Sequence, residues 1–387
     1  MLENLKQLVR FRTISANPEE NEFKKAANFI KNLLLPLNFE VKIMENKLPT
    51  VYAYKNFGKE KTVCFITHYD VVPAGDGWET QPFEPVEKNG KIFGRGTSDA
   101  KAGIVAFVEA LKELIETNTT PEFNIKFFSF PDEEIGGAIG IRWIINSHRE
   151  LLEDVDVFFV LDCSTEGVNI GASGAVSGKI IIKGKGGHAA YPFKCINALE
   201  KAIDILQKLR EFGEKEKTRV SSKALAPKNP VSKYMWNRFS ITVFHSGTKS
   251  NVIPGYAELM FNWRFIPEEN IKAREEEFRK EFEKWIKELN IEAELKFSQP
   301  HQGYIIDENN EFVVKLKNAI EKIEGKKVNC FVEFGATDGN IIYEAFKKPV
   351  IGFGPIDPDS NIHGPNEFVR IETLKKVKEV VKNFLKK

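Results

Sequence analysis

The sequence predicts an α/β protein with a mostly parallel sheet, helices on both faces of that sheet, and an inserted α+β domain. Three observations predict this fold. Apolar strand-like and helix-like segments alternate in the first half of the 387-residue chain, which is typical of a parallel sheet covered on both faces. After about residue 177 the pattern changes to strands separated by polar segments. The strand–helix alternation returns after Pro300.

The elements of the first half follow from the spacing of apolar residues. Strands are predicted where β-branched and aromatic residues are continuous, and helices where apolar residues recur every three to four positions. In chain order these are strands 50–57 and 61–70, helix 102–116, strand 122–130, helix 139–151 and strand 155–162.

Residues 178–297 are predicted to form the inserted domain, and residues 1–177 and 298–387 the main domain. The insertion starts with a strand that enters a glycine-rich turn, followed by a helix from Asn197 to Phe212 and a polar surface loop, 213–233. Three further strands and a charged helix complete a small sheet with helices on one face. The main domain then adds helix 309–324, strand 328–332, helix 338–346, strand 349–353 and helix 371–385.

Composition and charge exclude several classes of protein. The formal net charge is only +1, so there is no general attraction to nucleic acid or to an anionic membrane. No apolar run approaches the length of a membrane span, and the amino terminus lacks the apolar run and cleavage site of a signal peptide. We therefore expect a cytoplasmic protein that binds neither nucleic acid nor membranes.

Acidic and imidazole side chains follow several predicted strands. The carboxyl ends of parallel strands meet at one edge of a sheet, where open α/β proteins bind their ligands. Taken singly, each residue also has a structural explanation, such as a solvated acidic turn or, for Asp99, a helix N-cap. Together they favour a cation site. The side chains at or near strand ends are His68 and Asp70, Glu133 and Glu134, Asp162, and His363.

Five motifs give the sequence a specific resemblance. They are "THYDVVPAGDGW", "GRGTSDAKAG", "FPDEEIGG", "GKGGHAAYP" and "IHGPNEFV". In order and spacing they resemble metallopeptidase family M20, which includes succinyl-diaminopimelate desuccinylases, acetylornithine deacetylases and carboxypeptidases. The resemblance covers nearly the whole chain and implies a zinc-aminopeptidase-like catalytic domain with an inserted lid or dimerisation domain.

The resemblance implies two Zn²⁺ ions per subunit, with Co²⁺ or Mn²⁺ as possible substitutes. One ion would be held by His68 and Asp162, and the other by Glu134 and His363. Asp99 would bridge the two ions. Nitrogen and oxygen ligands of this kind suit zinc.

The resemblance also implies catalytic roles in amide hydrolysis. Glu133 would be the general base for a hydroxide bridging the metals, and Asp70 would orient His68. His188 of the partner subunit, in a homodimer formed through the inserted domain, would stabilise the oxyanion. From its sequence context alone, His188 is equally typical of a structural histidine.

Substrate recognition is implied for three further residues, Asn251, Arg264 and Thr337. Arginine suits bidentate binding of a carboxylate, although Arg264 is also typical of an exposed strand residue. We expect a small N-acyl amino acid or a dipeptide as substrate. A carboxypeptidase or dipeptidase of the same family is one alternative, and a catalytically silent binding protein on the same fold is another.

Two departures from the desuccinylase pattern bear on the acyl group. Those enzymes carry an Arg-Arg-Gly run where this chain has Ala172-Ser173-Gly174, and an Asn four residues before the last histidine ligand where this chain has Asp359. Losing a cation and gaining an anion argues against a dicarboxylate acyl group.

Overall fold

The computed structural model describes residues 1–387. The chain forms two compact units. The first contains Met1–Gly171, Ile306–Glu333 and Thr337–Lys387, and the second contains Ala172–Ile305 and Phe334–Ala336.

The regular elements are numbered along the chain. The strands are β1 (Glu40–Met44), β2 (Thr50–Lys55), β3 (Thr62–His68), β4 (Val86–Lys88), β5 (Lys91–Phe93), β6 (Asn124–Phe130), β7 (Val157–Val160), β8 (Val168–Ala172), β9 (Gly174–Lys183), β10 (Gly187–His188), β11 (Val220–Leu225), β12 (Tyr234–Trp236), β13 (Arg238–Ser246), β14 (Val252–Ile253), β15 (Tyr256–Phe265), β16 (Glu292–Phe297), β17 (Tyr304–Ile305), β18 (Cys330–Glu333), β19 (Val350–Gly352) and β20 (Phe368–Arg370). The α-helices are α1 (Leu2–Arg10), α2 (Glu20–Leu34), α3 (Ala102–Glu116), α4 (Ile141–Ser147), α5 (Glu150–Glu153), α6 (Ala198–Glu216), α7 (Ile271–Glu288), α8 (Glu311–Glu324), α9 (Asp338–Phe346) and α10 (Ile371–Leu385).

The main sheet of the first unit has the strand order β1-β2-β6-β3-β7-β19-β8, with β18 also paired to β8. Its centre is parallel, because β3 runs parallel to β6 and β7, and β7 runs parallel to β19. The outer pairs β1–β2, β2–β6 and β19–β8 are antiparallel. The predicted mixed α/β fold with a largely parallel sheet is therefore confirmed.

Helices cover both faces of this sheet. Neighbouring residues of a strand point to opposite faces, and β7 shows the result: the Phe159 ring lies 5.1 Å from Phe384 of α10, whereas the Phe158 ring lies 5.9 Å from Phe346 of α9. All seven residues of β3 and of β6 are buried, as expected for strands packed on both sides. None of the helices combines the length and the apolar character needed to cross a bilayer.

The second unit contains an antiparallel sheet of order β13-β15-β9-β16. One face is apolar and packs against α6 and α7, with the Phe212 ring 5.1 Å from Trp263 and 4.8 Å from Phe278. Gly178 of β9 makes room for this packing, since a Cβ there would lie 2.0 Å from the Phe261 ring.

The prediction of a surface loop over 213–233 is wrong for two of its segments, 213–216 and 220–225. Helix α6 continues past Gly213 to Glu216, and β11 pairs with β12. The extra helical turn is held because the buried carboxylate of Glu216 accepts hydrogen bonds from Trp263 Nε1 at 3.0 Å and Arg274 Nη2 at 2.5 Å. These contacts outweigh the small helix penalty of the glycine.

Candidate active site

The predicted ligand residues lie at the carboxyl ends of the central strands. His68 is the last residue of β3 and is in register with Phe130, the last residue of β6. Ile66 is in register with Val160, the last residue of β7. The chain therefore leaves β3, β6 and β7 at one edge of the sheet. It carries His68 directly, Glu134 shortly after β6, and Asp162 two residues after β7.

His68 is buried and faces acidic groups with both ring nitrogens. Its Nε2 lies 3.0 Å from Asp99 Oδ1 and 3.4 Å from Asp162 Oδ2. Its Nδ1 lies 3.1 Å from the Asp70 carbonyl oxygen and 3.3 Å from Asp70 Oδ1. An imidazole anchored by one nitrogen and directed at carboxylates by the other has the arrangement of a metal-ligating histidine with its supporting acid.

His363, in the loop between β19 and β20, approaches the same carboxylate from another side. Its Nε2 lies 3.0 Å from Asp99 Oδ2 and 3.1 Å from Glu134 Oε2. Asp99 thus directs its two oxygens at two different imidazoles. The structure therefore brings together all five predicted ligands as two groups that share Asp99.

The cluster concentrates negative charge in a poorly solvated place. Burial and the charge of Asp99 raise the pKa of Glu134 to about 7 and also raise the pKa of Asp162. The hydrogen bonds that the His363 ring donates to the carboxylates of Asp99 and Glu134 raise the pKa of His363 to about 10. Asp162 Oδ1 is buried without a hydrogen-bond partner. Such groups require a compensating positive charge.

The donor set fits divalent cations. One ligand atom from each of His68, Asp99 and Glu134 lies within 4.8 Å of the others, which is close enough for this cluster to hold metal. Nitrogen and carboxylate oxygen donors suit zinc and its first-row neighbours. The orphaned oxygen of Asp162 is available as a further ligand.

Asp70 supports both the histidine and the acidic turn that follows β6. Its Oδ1 accepts the backbone N–H of Glu133 at 3.1 Å, and its Oδ2 accepts that of Glu134 at 3.2 Å. The Glu133 side chain is half-buried. Burial and the charge of Asp338 raise the pKa of Glu133 well above its usual range, although the His68 charge opposes this. A carboxylate in this position would accept a proton readily.

Sequence reasoning did not assign a role to Glu367, which positions Asp99. The Glu367 carboxylate accepts the backbone N–H groups of Gly96 and Ser98 at 2.9 Å and of Asp99 at 3.2 Å. It also pairs with Arg95 Nη1 at 2.7 Å. This buried ion pair fixes the loop that carries Asp99. The available signal was the place of Glu367 within the quoted "IHGPNEFV" motif.

The remaining predicted site residues are Thr337, His188, Asn251 and Arg264. Thr337 belongs to the first unit, where its hydroxyl caps α9 by accepting the Gly339 N–H at 3.1 Å. His188, Asn251 and Arg264 belong to the second unit. His188 is exposed, and its Nδ1 accepts the Ala190 N–H at 3.1 Å, so in the neutral ring Nε2 carries the proton. Asn251 is nearby, because its carbonyl oxygen accepts the Ala189 N–H at 3.0 Å.

Asp359 and Ser173, which lie at the two departures from the desuccinylase pattern, each contact an arginine. Asp359 forms a two-pronged ion pair with Arg370, at 2.7 Å and 2.5 Å, and Arg370 also contacts Asp357 at 2.9 Å. Ser173 accepts a hydrogen bond from Arg238 Nη2. The segment without its own arginine is therefore in contact with an arginine of β13.

Comparisons with known proteins agree with this geometry. Fold and cluster together are those of a metal-dependent hydrolase that acts on amide or peptide bonds. Residues 64–387 match the family described as peptidase family M20/M25/M40, and the chain belongs to that family. The resemblance predicted from the five motifs is confirmed.

Alignments with individual relatives cover most of both chains. Over 379 residues the chain is 30% identical to a succinyl-diaminopimelate desuccinylase of Sulfurimonas denitrificans, covering 96% of each chain. Over 355 residues it is 32% identical to an uncharacterised metallohydrolase of Methanocaldococcus jannaschii, covering 87% of this chain and 84% of the relative. An M20 family metallo-carboxypeptidase from Sulfolobus solfataricus superposes with a TM-score of 0.83 at 19% identity, covering 99% of this chain and 98% of the other. At that identity the likeness shows the fold alone.

Proposed function

We propose that this chain hydrolyses the amide bond of an N-acyl amino acid, or of a similar small amide with a free carboxylate. The observation that carries the proposal is the position of Asp99, whose two carboxylate oxygens each lie 3.0 Å from a different imidazole. That arrangement suits a carboxylate shared by two metal ions, with Glu133 close by as the proton acceptor.

The ligand groups divide naturally in two. His68 and Asp162 would hold one ion and His363 and Glu134 the other, with Asp99 contacting both. Zinc is the expected metal, with cobalt or manganese as substitutes. When bound, the ions would polarise the amide carbonyl and lower the pKa of water.

The protein side chains would handle the proton and the substrate. Glu133 would accept the proton of the attacking water and pass it to the amide nitrogen as the leaving amine forms. Asp70 would keep His68 and the acidic turn in place. His188 of the partner subunit would donate its Nε2–H to the developing oxyanion. Arg264, Asn251 and Thr337 would bind the substrate, Arg264 through its free carboxylate.

A carboxypeptidase or dipeptidase is the second candidate, because the same constellation would serve either bond. A silent binding protein is disfavoured by the complete set of ligand side chains next to Glu133. Comparing N-acyl amino acids with dipeptides that share the same carboxyl-terminal residue separates a deacylase from a peptidase. A silent binding protein would cleave neither kind of substrate.

Purified protein reconstituted with Zn²⁺, Co²⁺ or Mn²⁺ is expected to hydrolyse at least one member of a panel of N-acetyl and N-succinyl amino acids and dipeptides. Turnover should require the metal and should be far slower for the matching substrate with a carboxamide in place of the free carboxylate. Chromatographic detection of the released amine measures both the dependence on metal and the preference for the free carboxylate. If no member of the panel is cleaved by metal-loaded protein, the hydrolase proposal for these substrates is wrong.

The second unit is also proposed to form a homodimer interface. Large apolar side chains are exposed around the β10–β14 pair that carries His188. Phe193 is 78% exposed, Tyr191 53% and Val252 42%. Exposed apolar groups that lie together are typical of an interaction surface. A second copy of this chain is the expected occupant, since the family resemblance implies dimerisation through this unit.

Light scattering is expected to give the wild-type protein twice the mass of one chain, and Phe193→Asp a monomer with lowered activity and unchanged metal content. The activity should fall because the monomer lacks His188 of the partner subunit. Val231→Asp is a matched control, since Val231 is 70% exposed in the same unit but lies outside this surface. A monomeric wild type with full activity would contradict the dimer.

A further inference from the structure

Two arginines lie side by side on the sheet of the second unit. Arg238, the first residue of β13, is directly opposite Arg264 of β15. Directly opposite residues of an antiparallel pair share a face, with Cβ atoms about 5 Å apart. On β15 the buried residues Trp263 and Phe265 alternate with Arg264, so the two arginines occupy the face opposite the helices. Like charges in this position destabilise a sheet.

The Arg238 guanidinium is held firmly, but only by neutral groups. It lies 5.7 Å from the centroid of the Trp236 ring and 4.8 Å from that of Phe334. Its Nη2 donates to the Ser173 hydroxyl and to the Phe334 carbonyl. Its Nε–H is buried without an acceptor. Burial and the charge of Arg264 lower the pKa of Arg238 to about 10, with no acidic group opposing them.

The two buried arginines of this chain have acidic partners, unlike Arg238, which is half-buried. Arg274 lies 2.5 Å from a Glu216 carboxylate oxygen, and Arg95 lies 2.7 Å from Glu367. A buried cation is normally compensated in this way. Arg238 is instead oriented by aromatic rings and placed beside a second cation, at a cost in stability. Such an unbalanced, pre-positioned charge is typical of a binding site.

We propose that Arg238 is a specificity-determining residue that binds the free carboxylate of the substrate jointly with Arg264. The inference rests on the proposed function and deepens it by adding a second arginine to the carboxylate site. A carboxylate has two oxygens and accepts charge-assisted hydrogen bonds from guanidinium N–H groups. Its negative charge would relieve the repulsion between the two arginines. The Arg264 guanidinium is itself held by its Nε–H, which donates to Asn262 Oδ1 at 2.8 Å.

The test compares Arg238→Met and Arg238→Lys with wild type on a matched pair of substrates, N-acetylalanine and N-acetylalaninamide, or the corresponding pair of the best substrate in the panel. For the free acid, Arg238→Met should lower kcat/KM by about 10- to 100-fold, the range of a lost charge-assisted hydrogen bond. For the carboxamide, kcat/KM should stay within about twofold. Arg238→Lys keeps the charge but loses the planar fork, so its effect should be intermediate.

Arg279→Met is the matched control. Arg279 also stacks on an aromatic ring, 4.8 Å from the centroid of Phe297, but it lies on α7 and should not affect either substrate. Arg238→Met should fold with a Tm at or above that of wild type, because it removes a charge that no acid balances. An equal loss of kcat/KM for both substrates by a folded Arg238→Met would overturn the proposal.

A separate readout keeps the carboxylate site testable if the proposed function fails. Calorimetric titration of metal-loaded protein should show tighter binding of N-acetylalanine than of N-acetylalaninamide, and Arg238→Met should remove that preference. If wild type cleaves no amide but shows this preference, only the hydrolase proposal falls. If Arg238→Met keeps the full preference for the acid, the role of Arg238 is wrong whatever the activity.

Discussion

Replacing Glu133 with glutamine is expected to lower kcat by about 10²- to 10⁴-fold, the usual contribution of a general base, with unchanged metal content. Glutamine has nearly the same shape as glutamate but does not accept the proton. The backbone N–H of Glu133, which donates to Asp70 Oδ1 at 3.1 Å, is untouched by the change. Steady-state kinetics and metal analysis on the same preparation measure both expectations.

The neighbouring residue offers a contrasting variant. Glu134 Oε2 lies 3.1 Å from His363 Nε2, so Glu134→Gln should lose bound metal as well as activity. Glu60→Gln, an exposed change just before β3 and thus at the opposite end of that strand from the site, should change neither. Wild-type turnover in Glu133→Gln, or loss of metal from that variant, would show that Glu133 is not the proton acceptor.

The sheet edge that carries the site could be predicted because it depends on local patterns. Continuous apolar runs place the ends of β3 and β7 within a few residues, and parallel pairing then brings those ends together. The observed register of Ile66 with Val160 shows that the ends of β3 and β7 do lie side by side. His68 and Asp162 therefore become neighbours without any information about side-chain contacts.

Contacts between distant segments could not be predicted in the same way. The bond from the Gly96 N–H to Glu367 joins residues 271 positions apart, and no periodicity links them. Arg238 and Arg264 are opposite each other because of the register of two strands, and the pattern of apolar residues in the sequence does not reveal that register. The extension of α6 past Gly213 has the same cause, because it depends on the burial of Glu216 among residues of other elements.

Replacing Asp99 with asparagine is expected to reduce bound metal by at least half and to lower kcat/KM by more than about 100-fold. Changing a residue that merely supports a ligand typically costs 10- to 100-fold, and Asp99 is the residue that both ligand groups share. Each carboxylate oxygen lies 3.0 Å from an imidazole nitrogen. Asparagine keeps one oxygen but turns an N–H₂ donor toward the other group, where a lone pair and a negative charge are needed.

Comparing the metal content of two aspartate variants tests whether Asp99 is shared by both ions. Asp162 Oδ2 lies 3.4 Å from His68 Nε2 and faces only that group, so Asp162→Asn should weaken one ion and leave the other bound. Asp99→Asn should weaken both. Asp76→Asn, an exposed change in the loop after β3, should affect neither. Metal analysis after dialysis distinguishes these outcomes. If Asp99→Asn and Asp162→Asn lose equal amounts of metal, Asp99 serves a single ion. A ligand shared by both groups must affect the binding of both ions.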